Sequence, residues 1–166
     1  MALIDTSYFI GEIAAPNITS GSGNPAASIN LSELNRLILI YEKDYLVKLM
    51  GKTLYDVFIA NPSETWVVSL TAKLKDTTNK ISPIAYYVWY WWKRANASMT
   101  SEMGEFAAKS ENSSTNSNVM KQITAFNTCV SLTCDVLDWM DENSTIFPST
   151  PEPDLYAFRP INDFGI

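Results

Sequence analysis

Histidine is absent from all 166 residues. Its absence excludes Ser-His-Asp and Cys-His nucleophiles, histidine-dependent zinc sites and the common general base near neutral pH. Only carboxylate or lysine chemistry stays formally open. Cysteine is nearly as scarce. Cys129 and Cys134 stand five apart in a helical pattern, which turns them about 140° away from each other, too divergent for a local disulfide or a shared metal. Both are expected as buried free thiols, in keeping with a reducing compartment. A long apolar run is also missing. The opening Met1–Ile10 is broken by Asp5 and has no basic residue, so no secretory leader is expected, and no stretch reaches the roughly 20 apolar residues of a membrane span. Triplets such as Asn96-Ala97-Ser98 therefore read as chance, not as glycan acceptors.

A basic excess is lacking too. Lys and Arg number 12 against 18 Asp and Glu, a net charge of −6. Met1–Cys134 balances at 11 acidic and 11 basic residues, whereas Asp135–Ile166 holds 7 acidic residues against Arg159 alone, so that 1 − 7 = −6. Such a distribution is a poor footprint for gripping nucleic acid through its phosphates. It suits a partner with a basic socket, or a surface past which DNA slides without sticking.

What the chain does have is 46% hydrophobic and 18% charged residues, the composition of a folded protein of one domain with or without arms. Its most telling stretch is Ile84-Ala85-Tyr86-Tyr87-Val88-Trp89-Tyr90-Trp91-Trp92, with three of the five tryptophans and three of the eight tyrosines. Apolar groups on every side leave no solvated face, so this is expected to be a helix buried all round, over Ser82–Ala97, with Ser82 as cap and Pro83 at the first helical position. The polar tips of Tyr and Trp want partners, which fits a core helix and also one partly buried against another subunit.

Around it the spacing predicts an all-α bundle of four to five helices over residues 31–142, with an arm and linker at 1–30 and an extended tail at 143–166. In the arm, Ile4, Tyr8, Phe9 and Ile10 form an apolar patch ahead of a Gly/Ser/Asn/Pro linker, Pro16–Ser28. That patch is either a strap over its own core or an arm reaching a neighbour, the strap being favoured because termini with aromatics are often tied down locally. Asn30 with Glu33 reads as a capping box, and Leu34, Leu37, Ile38, Tyr41, Tyr45 and Leu49 mark one buried stripe. Gly51 is expected to end that helix as a left-handed cap. Short helices then follow from Thr53 to Ala60 and from Ser63, the second with Trp66, Val67, Leu70 and Leu74 on its apolar face. Residues 98–118 are polar except for Met103-Gly104-Glu105-Phe106, and are expected as a projecting loop carrying a hook or short strand. The last helix has a heptad-like seam of Val119, Ile123, Phe126, Val130, Thr133, Leu137 and Met140, about 35 Å long. Asp135, Asp138, Asp141 and Glu142 near its end read as a solvated acidic face; a calcium loop would need a central glycine that is not there. Prolines at 148, 151, 153 and 160 force the tail into extended backbone. Its Ile146, Phe147, Leu155, Tyr156, Phe158, Ile161, Phe164 and Ile166 require that it dock, either on its own bundle or in a partner's groove, the partner being favoured by the tail's acidity and extension.

Tyr41-Glu-Lys-Asp-Tyr-Leu-Val-Lys-Leu-Met-Gly51-Lys-Thr-Leu-Tyr-Asp-Val-Phe58, the aromatic helix leading to Arg94, and Gly104-Glu105 together resemble a virion-protein family of Bacteroidetes phages and prophages. That family is similar in layout to the small helical head–tail connectors, or adaptors, of tailed phages. The resemblance covers residues 31–142. It implies a ring of twelve subunits beneath the portal at the virion neck, made in the host cytoplasm, with tail or stopper proteins below and DNA passing through the lumen without specific binding. It needs no cofactor and no membrane, and performs no catalysis. It also implies a portal-docking tail (Leu155, Tyr156, Phe158, Arg159, Phe164, Ile166), inter-subunit arms (Tyr8, Phe9, Ile10, Met103, Phe106) and an acidic lumen face (Asp135, Asp138, Asp141, Glu142). The rival readings are a cytoplasmic helical protein–protein interaction module and a carboxylate enzyme built on Asp135, Asp138 or Glu142. The enzyme requires a pocket holding at least two of these carboxylates with perturbed protonation.

Overall fold

The computed structural model describes residues 2–15, 18, 25–95, 98–101, 104–107 and 115–162, with backbone alone at 25–29, 98–101, 104–107 and 115–118. The fold is all-α. Five helices, α1 (Pro25–Met50), α2 (Lys52–Ala60), α3 (Thr65–Leu74), α4 (Pro83–Ala95) and α5 (Thr115–Glu142), are joined by one antiparallel hairpin of β1 (Ser98–Ser101) and β2 (Gly104–Ala107).

The aromatic helix α4 is the middle layer. Tyr41 stacks on Trp91 and Asp44 meets Tyr87, so α1 runs antiparallel to it on one side. Pro83 meets Cys129 and Tyr90 meets Phe126, so α5 runs antiparallel on the other. Pro83, Ile84, Ala85, Tyr87, Val88, Trp89, Tyr90 and Trp92 are all buried. Their polar tips find partners inside the chain. Tyr87 donates to Asp44 Oδ2 at 2.6 Å, and Trp89 Nε1 points at the Ala14 carbonyl at 3.4 Å. Tyr45 of α1 spans the layer to share a 2.8 Å bond with Thr133 of α5, and Thr133 donates onward to the Cys129 carbonyl. Such a buried network is stabilising only when each member is satisfied, as here.

The expected stripe on α1 is realised: Leu34, Leu37, Ile38, Tyr45 and Leu49 are buried, Tyr41 half-buried. Its start differs. The helix begins at Pro25, inside the expected linker, because proline suits the first helical position and Ala26-Ala27 propagate a helix readily. Asn30 is therefore within the helix, and Glu33 holds Arg36 rather than a cap. Ser82 is also not a side-chain cap. Its backbone carbonyl accepts from Ala85 and Tyr86, while its buried hydroxyl donates 2.7 Å to the Leu74 carbonyl at the end of α3. Part of the expected projecting loop is ordered as the hairpin, and α5 starts at Thr115, giving it 28 residues and a length near 42 Å. Along its seam Ile123, Phe126, Val130, Thr133 and Met140 are buried, but Val119 is exposed.

The described parts of both terminal segments close on this bundle. Leu3 and Ile4 donate their backbone N–H groups to the buried carboxylate of Glu42 at 2.8–3.2 Å, and Lys75 reaches the Leu3 carbonyl at 3.1 Å. Two 3-10 turns, Thr6–Tyr8 and Gly11–Ile13, follow, with Ile4, Tyr8, Phe9 and Ile13 in the core. The tail returns past the C-terminus of α1. Glu152 and Asp154 donate to the Met50 and Lys48 carbonyls at 3.2 and 2.7 Å, groups that a helix end leaves without internal partners. Phe147 packs edge-on against Trp66 and Trp139, Phe158 against Tyr45, and Asn127 clamps the backbone of Ile161 through both amide atoms at 2.8 and 2.9 Å.

Gly51 makes the tail's approach possible. Its φ of 81° and ψ of 157° are not the left-handed helical cap expected from sequence but an extended mirror conformation open essentially to glycine alone. A Cβ there would lie 3.1 Å from Cβ and 3.3 Å from O of Glu152. Gly51→Ala is expected to cost about 1–3 kcal/mol, read by urea denaturation, and to speed hydrogen exchange at Glu152 and Asp154.

Burial raises the Glu42 pKa above 4.5, while the Leu3 and Ile4 bonds and Lys75 pull the other way. A carboxyl with a raised folded-state pKa adds stability that is full below the unfolded value and lost as pH rises through the folded one. Denaturation midpoints of wild type and Glu42→Gln should therefore differ most in wild type's favour at acid pH, the gap shrinking towards neutrality.

Candidate functional site

Among the described residues most titratable groups in or beside the core are engaged in structural bonds. Lys48 donates to Asp44 Oδ2 at 2.7 Å and to the Tyr87 hydroxyl at 2.9 Å, and Tyr87 donates to the same carboxylate. Burial and the bond to Asp44 push the Tyr87 phenol up to about 12. Burial alone would lower Lys48, but its bonds to Asp44 and Tyr87 outweigh that and its pKa is raised. This triangle is closed and ties α1 to α4. Glu42 is likewise committed to the N-terminal strap. Cys129 is buried, donates to the Pro83 carbonyl at 3.3 Å, and is held up to about 12 by burial. Cys134 departs from expectation. Its position on α5 points it outward, and it is exposed.

Asp135, Asp138, Asp141 and Glu142 are all exposed on the last turns of α5. Among the described residues no group of three acidic or cysteine side chains could hold a metal, and no helix is long and apolar enough to cross a membrane. Asp138 and Asp141 do share a feature: both line an open groove of about 420 Å³ between the end of α5 and the tail. Leu137 and Met140 form its apolar wall on the helix, Pro151, Pro153 and Leu155 the wall on the tail, with Ser144 and Thr150 at its ends. Sequence periodicity placed the acids correctly but could not show the groove, because its second wall exists only once the prolines carry the tail back alongside α5.

The proposed contact residues separate sharply. Tyr8 and Phe9, expected in an inter-subunit arm, are 3% exposed each and belong to the chain's own core, where Lys80 stands 5.1 Å over the Tyr8 ring. Phe158, expected to dock on a portal, is 5% exposed against Tyr45. These three are corrected to intramolecular roles: aromatic groups beside an apolar bundle face gain burial at once from their own chain. Ile10 stays 52% exposed. On the tail, Leu155 and Tyr156 are 59% and 76% exposed, and Arg159 lies 4.2 Å over the Tyr156 ring. They form a stiff knob, since Asp154 Oδ1 accepts from the Tyr156 and Ala157 N–H groups just beneath it. Phe106 lies on β2 opposite Met99. Met103, Phe164 and Ile166 lie outside the described residues.

The fold and this surface define a self-braced helical bundle that carries an open groove and an exposed knob among the described residues. The sequence matches no protein-family model, no curated protein and no solved structure.

Thiol titration checks the placement of the cysteines. One fast-reacting thiol per native chain, Cys134, is expected with a soluble aromatic disulfide, and two after denaturation; Cys134→Ser should remove the fast phase.

Proposed function

We propose that this chain is a structural virion protein, a head–tail connector whose copies form a ring beneath the portal, with DNA passing through the lumen. The observation that carries this reading is the knob of Leu155, Tyr156 and Arg159 held out on a braced tail beside an acidic helix end. Large apolar groups and arginine on a rigid, exposed element are what dominate binding energy at protein interfaces. In this reading the knob docks on the portal, together with Phe164 and Ile166, which lie outside the described residues. Ile10 and the hairpin segment with Met103 and Phe106 meet neighbouring subunits. Asp135, Asp138, Asp141 and Glu142 face the lumen, where their charge repels DNA phosphates and keeps the passage free.

A second reading, a helical protein–protein interaction module that works as a single copy, is favoured by one specific observation: the described parts of both terminal segments are closed on their own bundle. The two readings separate by negative-stain microscopy and light scattering with and without portal protein. The connector predicts rings on the order of 100 Å across, from about a dozen domain-sized subunits. A stable monomer indifferent to portal would leave the module. Within the connector reading, Tyr156→Ala is expected to weaken portal binding at least tenfold, the effect of losing about 1.4 kcal/mol or more of a hot-spot contact. Thermal stability should be unchanged, because that ring is already solvent-exposed.

A further inference from the structure

A cluster of cations stands at the other end of α5 from the acidic groove. Because α4 and α5 run antiparallel, Lys93 and Arg94 at the end of α4 come beside Lys121 near the start of α5, and Lys93 and Lys121 line the same shallow recess of about 200 Å³. None of the three makes an ion pair among the described residues, where the pairs are Arg36–Glu33, Lys48–Asp44 and Lys52–Asp56. Burial lowers the Lys93 pKa, and the neighbouring Lys121 lowers it further. Like charge is thus crowded at this pole, and Glu12, the carboxylate among the described residues that line the recess, makes no ion pair with it. Beside it Val119 and Met120 are 54% and 43% exposed. The pole is cationic and apolar, as the groove is acidic and apolar. From Lys121 to Asp138 is about 25 Å along α5 at 1.5 Å per residue, several times the roughly 8 Å over which exposed charges act at physiological salt. The two surfaces cannot neutralise each other within one molecule.

We propose that a second copy of this chain covers the groove, head to tail: the pole of Val119, Met120, Lys121 and Arg94 on one copy seats against Asp138 and Asp141 of the next. Apolar side chains meet the Leu137–Met140 wall while the cations meet the two carboxylates, so each contact uses two different patches. A contact of that kind is heterologous and repeats around a closed ring or along a filament. The inference deepens the connector reading by naming which surfaces join its subunits, and it rests on that reading only for the assumption that copies meet.

Charge exchange tests it. Wild type is expected to self-associate in low salt, measured by sedimentation velocity across a concentration series, and to dissociate as salt rises. Lys121→Glu and the double variant Asp138→Lys/Asp141→Lys should each lose self-association. An equimolar mixture should regain a complex, because an intact pole on one variant meets an intact groove on the other. Lys43→Glu, on the exposed side of α1, should leave association unchanged and controls for net charge. All substituted positions are exposed, and circular dichroism confirms folding. A wild type that stays monomeric at high concentration and low salt would overturn the proposal. So would association indifferent to both exchanges, or a mixture that fails to recombine. Portal binding measured on the same variants separates the two levels: a chain that binds portal yet shows no dependence on these charges keeps the connector reading and loses this contact.

Discussion

Everything in this fold answers to one constraint: the Ile84–Trp92 stretch of α4 has no face fit for water. A helix apolar all round must be enclosed, and enclosure needs cover from several directions. Two long helices supply two sides, and the N-terminal segment supplies a third through Ile13 and the Ala14 carbonyl that faces Trp89. The same requirement explains the unusual placement of polar groups. Asp44, Lys48 and Thr133 sit where they do because phenol and hydroxyl groups brought into the core would otherwise be left unbonded, at a cost of about 1–3 kcal/mol each.

Much of this architecture was legible in the residues. The all-round apolar run gave α4, the three- and four-residue spacing gave the buried stripes of α1, α3 and α5, and the proline run gave the extended tail. What escaped were decisions that depend on a partner distant in sequence. Ser82 looks like a cap locally, but the α3 carbonyl of Leu74 outcompetes the helix start for its hydroxyl. Pro25 looked like part of a linker until enough helix lay behind it to make it a first turn. Tyr8 and Phe9 read as a strap from the residues but as an arm from the resemblance, and Phe158 read as a partner contact; only packing decides between own chain and neighbour. The same holds for Glu42: a glutamate within an amphipathic helix reads as solvated, yet it is the residue that gathers Leu3 and Ile4.

The surface has an equally simple logic once the core has taken its share. Eleven large hydrophobic groups stay exposed among the described residues, and of these Leu155 and Tyr156 stand beside an acidic groove while Val119 and Met120 stand beside lysine and arginine. Mixed apolar and charged patches of opposite sign are well suited to selective contact, since charge fixes the partner and register while apolar burial adds affinity. The excess of negative charge falls within residues 135–166, and charge gathered in this way orients a molecule in the field of a charged partner.

The crossing of the tail over the end of α1 has a consequence for how the chain comes into being. Carbonyls at positions 48 and 50 are closed by amides at 154 and 152, made about a hundred residues later. A ribosome delivers the first helix long before its lid, so Tyr45 and the bare end of that helix stand open to chaperones, or to wrong neighbours, for most of translation. The chain thus reaches its finished shape only after synthesis has passed Phe158.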